Sequence, residues 1–250
     1  MRVVSLNPTT LGSLPVYRAD VLAPWGVDAF FTSRVGGVSE GAYRELNLGD
    51  HVEDDPTHVE TNRRLLARAL GVDRLDLPRQ VHGTTVVTVS DLRASHPRSA
   101  DAVVSDSSAP AVVLVADCVP VILVDPDSHR LIVVHAGWRG LASGVLESAL
   151  GHLRPESTVA FIGPSISQDT YQVGPDVVDA HELFARHARV DVDDRFRLDL
   201  RSAAADLLTL RGVDASRVYA SSEVTDGGAT FFSDRATRPC GRFAAVARWT

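Results

Sequence analysis

The centre of this chain is a succession of short, β-branched apolar runs set close together, and that density constrains the fold most. Val86–Val89, Val112–Val115, Val121–Val124 and Leu131–Val134 are each four residues long and punctuated by Asp, Pro, Gly or Ser. Such runs read as strands buried on both faces. Several follow one another too closely for helical crossovers, which parallel neighbours require, so the sheets must be mixed. Thr158–Ile162 and Arg242–Trp249 read as further strands, and Val27–Thr32 as an early one. Helices are expected at His58–Leu70, Leu141–Leu153, Pro175–Ala188 and Arg201–Leu210. The first has Asp54 or Asp55 as cap, Pro56 in its first turn and Gly71 as its stop. The pattern predicts a layered α+β fold in a single domain over 1–250, with residues 1–24 a leader of undefined structure.

Composition narrows the function. A net charge of −7 argues against a general nucleic-acid binder, because neutralising phosphates needs a basic surface. No apolar run reaches the ~18–20 residues of a membrane span, and the first residues lack a secretory pattern. The cytoplasm is therefore the expected compartment. All 25 basic residues are arginine. This excludes lysine Schiff bases, lysine general bases and a P-loop lysine. Two cysteines, Cys118 and Cys240, make neither a disulfide framework nor a four-cysteine zinc site.

Three segments put chemistry at strand ends: Gln80-Val81-His82-Gly83, Ala116-Asp117-Cys118 after VVLV, and His135 to Gly140 (HAGWRG) after LIVV. A lone His or Cys in such a place is ordinarily a core or surface residue. The spacings of 36 and 17 residues match no short zinc-finger pattern. Together, however, His82, Cys118 and His135 form a three-ligand set, which suits a catalytic zinc with one open position. Open sheets also tend to place ligands at strand ends.

The segments FTSRVGGVSEGAY, LNLGDHVEDD, NRRLL, QVHG, ADCVPVILVD, HAGWRGLASGVLE, IGPSI, YQVG and FFSDR, with GR near the end, resemble the laccase-domain, or YfiH-like, purine nucleoside phosphorylase family. The likeness runs from about Phe30 to Trp249. It implies a four-layer α/β/β/α sandwich related to the catalytic domain of cytotoxic necrotising factors. It implies zinc held by His82, Cys118 and His135, and phosphorolysis of adenosine, inosine or methylthioadenosine with inorganic phosphate. It also implies adenosine deaminase activity. That route wants a nearby acid/base, for which Asp117 is a candidate, although a buried Asp beside a strand end could equally hold backbone amides. Arg34, Arg139 and Arg235 are expected to clamp phosphate, with Gln80 beside them. Relatives have also been named polyphenol oxidases, for which copper is reported, and peptidoglycan-editing factors. Copper oxidase chemistry is not expected here, since the nine histidines include no H-x-H pair. Nor is the H-x-E with P-C-x-x-C signature of nucleobase deaminases present. The rival enzyme reading is a metal-free Cys/His hydrolase or deamidase acting on peptidoglycan precursors, with Cys118 as nucleophile and His135 as base. A binding protein with structural zinc is disfavoured, as no fourth protein ligand is evident.

The chain departs from the family pattern at Ser165, Gln172, Ser221-Ser222 and Cys240. Gln172 replaces a usual glutamate, so it bears on substrate range more than on fold or metal. Trp138 is expected to pack or to stack on a base, and Phe231 and Phe232 are candidate walls of a purine pocket. Oligomeric state is not legible from the sequence.

Overall fold

The structure, a computed structural model, describes residues 1–94 and 98–250. Strands β1 (Arg2–Val4), β2 (Asn7–Leu11), β3 (Leu14–Arg18) and β4 (Val27–Thr32) precede helix α1 (Pro56–Leu70). Then come β5 (Val86–Thr88), α2 (Val89–Ala94), β6 (Ala102–Ser105), β7 (Ala111–Val115), β8 (Val119–Asp125) and β9 (Arg130–Ala136). Helices α3 (Trp138–Ser143) and α4 (Val145–Leu150) lead to β10 (Val159–Ile162). A small region holds β11 (Gln172–Val173), α5 (Pro175–Val178), α6 (Glu182–Arg186), β12 (Ala188–Val190) and β13 (Phe196–Leu198). Helix α7 (Leu200–Leu210), β14 (Val218–Ser221) and β15 (Phe243–Trp249) close the chain.

Two sheets pack face to face. The larger has seven strands in the order β1-β14-β10-β8-β9-β6-β5, and the smaller has five in the order β2-β3-β4-β15-β7. The larger is mixed: β1, β14 and β10 run parallel, as do β5 and β6, around the antiparallel β10, β8, β9 and β6. The third sheet, β11-β13-β12, is a small antiparallel patch.

Strand alternation builds the layers. Ile122, Val133 and Phe161 of the large sheet meet Phe31, Val113, Val115 and Phe243 of the small one. Their neighbours Val121, Leu123, Ile132 and Val134 face outward onto α4 and α7 through Leu146 and Leu208. On the far side, Val112, Leu114 and Val246 face Leu66 and Leu70 of α1. Both faces of each central strand are thus buried, which is why their sequences are continuous apolar runs. The result is the α/β/β/α sandwich. None of the described helices is long and apolar enough to cross a membrane.

Several sequence expectations need correction. The run Leu141–Leu153 is two helices, because Gly144 adopts φ 93° and breaks the axis. Pro175–Ala188 also splits, with His181 in extended conformation and its ring accepting from the Leu183 amide as the cap of α6. Val89 opens α2 instead of ending β5. Thr88 and Asp91 exchange side-chain and amide hydrogen bonds there, a reciprocal cap that turns the chain into the helix. Residues 1–24 hold three strands, of which β2 and β3 form the outer hairpin of the five-stranded sheet.

Candidate metal centre and its arginine-walled cavity

The site lies at one end of the large sheet. Strands β8 and β9 are antiparallel, and Pro120 pairs with His135, so Cys118 just before β8 sits beside the end of β9. Strand β6 flanks β9 on the other side, and the His135 amide donates to the Asp101 carbonyl over 2.7 Å. The segment before β5 brings in His82. The His82 Nε2 and Cys118 Sγ are 3.9 Å apart, and one ligand atom from each of His82, Cys118 and His135 falls within 4.8 Å of the others. Around tetrahedral zinc, ligand atoms lie about 3.4–3.8 Å apart for bonds of about 2.0–2.3 Å. The two imidazoles and one thiol therefore fit a metal ion after small shifts. Among the described residues no other His/Cys/Asp/Glu group is close enough to hold one.

Asp101, which sequence reasoning missed, organises the trio. Its buried carboxylate accepts from the amides of Val81 (3.2 Å), His82 (2.9 Å) and Gly83 (2.8 Å), and lies 2.8 Å from His135 Nδ1. His82 has φ 57°, a conformation uncommon outside glycine, and these amide bonds hold it there. With Nδ1 of His135 facing the carboxylate, its Nε2 is left for the ligand position, the usual carboxylate–histidine–metal arrangement. Gly137 makes room. A Cβ there would lie 2.9 Å from His82 Cδ2 and 3.0 Å from Cys118 Sγ.

The electrostatics follow from proximity. Burial alone pushes the Cys118 thiol up, but the His135 and His82 imidazoles bring it down to about 6. Burial works against charge on His135 too, yet the Cys118 sulfur and the Asp101 carboxylate raise it to about 9. Without a metal the pair thus favours thiolate and imidazolium.

The trio opens into a cavity of about 470 Å³, within the usual range for small-molecule sites. Arg139, Arg235, Arg238 and Arg242 line it, together with Tyr171 and Trp138. Two of these arginines are spoken for. Arg238 and Arg242 both reach the Asp234 carboxylate. Arg139 lies over the Trp138 ring, 4.2 Å from its centroid, and has no carboxylate partner among the described residues. Arg235 lies over Tyr171 at 5.2 Å and donates through Nη1 to the Gln172 carbonyl at 2.7 Å, again without a carboxylate partner there.

Other expected residues are placed differently. Asp117 lines the cavity, but its oxygens accept from Thr225 Oγ1 and from the Arg235 amide, each at 2.6 Å. Burial raises its carboxyl above the usual range. Gln80 also lines the cavity, yet its amide is paired at both ends with the Leu114 backbone, at 2.7 and 2.8 Å. Arg34 is not among the lining residues. Its guanidinium donates to the Arg44 carbonyl and lies 4.7 Å from the Phe232 ring centroid. Phe231 and Phe232 are buried in the inter-sheet core and do not line this cavity. The Gln172 side chain donates to Asp191 at 2.8 Å, away from the cavity lining. Ser165, Ser221, Ser222 and Cys240 do not line it either. Tyr171 stands in a recognised motif, but its place in the lining was not anticipated. Nor were the places of His51, Asp234 and Arg242, which line the same space.

Two face-packed sheets between helical layers, with an open His/Cys/His pocket at one sheet end, define a layered α+β protein with a candidate metal centre. Residues 28–250 match the family described as multi-copper polyphenol oxidoreductase laccase. The purine nucleoside phosphorylase of Xylella fastidiosa (strain Temecula1) is 38% identical over 256 residues, covering 95% of this chain and 98% of that protein. The purine nucleoside phosphorylase of Pseudomonas aeruginosa is 38% identical over 234 residues, covering 90% and 94%. A Neisseria meningitidis protein of known crystal structure aligns with a TM-score of 0.87 at 36% identity, covering 94% of this chain and 98% of its own. The chain belongs to this laccase-like family.

Proposed function

We propose that this protein is a zinc-dependent purine nucleoside phosphorylase that uses inorganic phosphate to release the free base and ribose 1-phosphate. One observation carries the reading: a single cavity joins a three-ligand metal set to two guanidiniums, Arg139 and Arg235, that have no carboxylate partner among the described residues. Such guanidiniums suit a phosphate, which they bind through paired N–H groups. In the reaction a phosphate oxygen bonds to C1′ as the C1′–N9 bond breaks, and the electron pair leaves with the purine. Arg139 and Arg235 would orient the phosphate and balance its charge. Asp117 holds the backbone of Arg235, a positioning role. His82, Cys118 and His135 would hold the metal, with Asp101 fixing the two imidazoles. Zinc so held carries a net positive charge and would supply Lewis-acid polarisation. The names of the Xylella and Pseudomonas relatives support this substrate class. Adenosine, inosine and methylthioadenosine are the proposed nucleosides. Copper oxidase chemistry receives less support, since the nine histidines contain no H-x-H pair and one cluster serves as the candidate site. Deamination also receives less, because both oxygens of Asp117 are engaged.

The test is the phosphate dependence of base release from these nucleosides. Ribose 1-phosphate formed only with phosphate supports the reading, and equally fast release without phosphate overturns it. A second reading is favoured by the lowered Cys118 thiol beside His135: a metal-free Cys/His hydrolase. Chelation separates the two. A metalloenzyme loses turnover on stripping and regains it with added zinc. A hydrolase stays active and accumulates a covalent intermediate on Cys118.

A further inference from the structure

Resting on that reading of a phosphate-dependent reaction, we propose that Tyr171 is a further substrate-contacting residue, its phenol O–H donating to the phosphate between the guanidiniums of Arg139 and Arg235. The ring is fixed from behind. The Tyr171 amide donates to the Ser167 carbonyl at 2.9 Å, and its carbonyl accepts from the Leu198 amide at 3.1 Å. Its ring packs on the apolar core beneath α7. The Arg235 guanidinium covers one face and donates to the Gln172 carbonyl, while the Arg235 backbone amide is held by Asp117. Ring and guanidinium therefore form one preorganised block.

The hydroxyl, by contrast, has no hydrogen-bond partner among the described residues, although the residue lines the cavity. Tyr171 is partly buried and lines the cavity, so its unpaired hydroxyl is open to a ligand atom there. A phenol is a proton donor at neutral pH. Cys118, Arg235, Asp117 and Arg139 are all within electrostatic reach of it, and both Asp117 oxygens are already engaged. Arg139, Tyr171 and Arg235 line one cavity and together offer three donor groups, a set that suits an oxyanion, whereas a nucleobase edge mixes donors and acceptors.

The experiment labels the four tyrosines with ¹³C at Cζ and assigns Tyr171 by the resonance lost in Tyr171→Phe. Inorganic phosphate alone is then titrated into the metal-loaded wild type. The Tyr171 resonance is expected to move and saturate while the other three stay still. In turnover, Tyr171→Phe should raise the KM for phosphate about 10- to 100-fold, the loss of one hydrogen bond to a charged group. The KM for nucleoside and the thermal midpoint should stay as in the wild type. A stationary Tyr171 resonance at saturating phosphate overturns the assignment, as does a variant whose nucleoside KM moves instead. Phosphate-independent base release would sink the phosphorylase reading, and the titration would still decide whether Tyr171 meets phosphate. Phosphate-dependent turnover with a still resonance would sink the tyrosine assignment alone.

Discussion

A single carboxylate, Asp101, meets three consecutive amides and the Nδ1 of His135, so it fixes two of the three candidate metal ligands at once. An asparagine there keeps the volume but turns one acceptor into a donor. That donor faces either the amides or the imidazole, and His135 loses the charge that orients it. Asp101→Asn is expected to weaken zinc binding about 10- to 100-fold, the usual cost of losing such a support. Competition with a chromophoric chelator measures it, and unchanged affinity would contradict the role. Gly137→Ala acts on the same trio by crowding, since its Cβ would press on His82 and Cys118 at 2.9 and 3.0 Å. Metal content should fall well below one per chain while the far-ultraviolet circular dichroism stays native. Full occupancy in this variant would show that the gap is not needed. His82, Cys118 and His135 were legible because each stands in a distinctive segment at the end of an apolar run. Asp101 was not, because its partners lie 18–34 residues away and meet it only through sheet pairing. Phe231 and Phe232, offered as candidate walls, do not line this cavity, for an apolar ring looks the same in sequence whether it faces a ligand or a core.

Elements were legible where both faces are buried. Strands β7, β8 and β9 appear as unbroken β-branched runs, and the structure extends each by only a few residues. The outer hairpin β2–β3 was lost because β2 is largely exposed and its NPTTL sequence carries no apolar run. Helices were drawn too long because apolar periodicity passes straight through Gly144 and His181. The turn joining β8 to β9 makes a prediction at this scale. Asp125 is buried and accepts from the hydroxyls of Ser128 and Ser157, both at 2.7 Å, and from the Arg154 amide at 3.0 Å. Although burial opposes its charge, these bonds hold its carboxyl well below the usual range. Its folded pKa is therefore below its unfolded value of about 3.9. The linked stability is fully present above that unfolded value and is lost as pH falls towards the folded one. Asp125→Asn should cost about 2–4 kcal/mol at pH 7, since a charged acceptor of several bonds is replaced by a weaker one. It should also flatten the loss of stability below pH 4. Urea unfolding at pH 7 and pH 3 measures both, and an equal difference between the proteins at the two pH values would refute the linkage.

At the scale of the molecule, the candidate site joins parts of the chain that belong to different sheets. The ligand trio stands at an end of the seven-stranded sheet, while Asp234, Arg235, Arg238 and Arg242 lie on the segment that enters β15 of the five-stranded sheet. Asp117 is the clasp between them. It directly precedes Cys118, has φ 81°, and bonds Thr225 and Arg235, which are 108 and 118 residues away. Sequence reading found both halves of the site but not this connection, for it depends on how the last segment folds back. Asp117→Ala removes both bonds and frees Arg235 to leave Tyr171, without touching a metal ligand. Zinc content should therefore stay near one per chain. Under the proposed function, kcat/KM for phosphate should fall about 100-fold, because the guanidinium no longer stands preorganised where charge gathers. The nucleoside KM should change far less. Metal analysis and phosphate-varied kinetics on one preparation separate the outcomes. If zinc were lost together with activity, Asp117 would be a support of the metal trio, and the clasp between the sheets would have to be sought elsewhere.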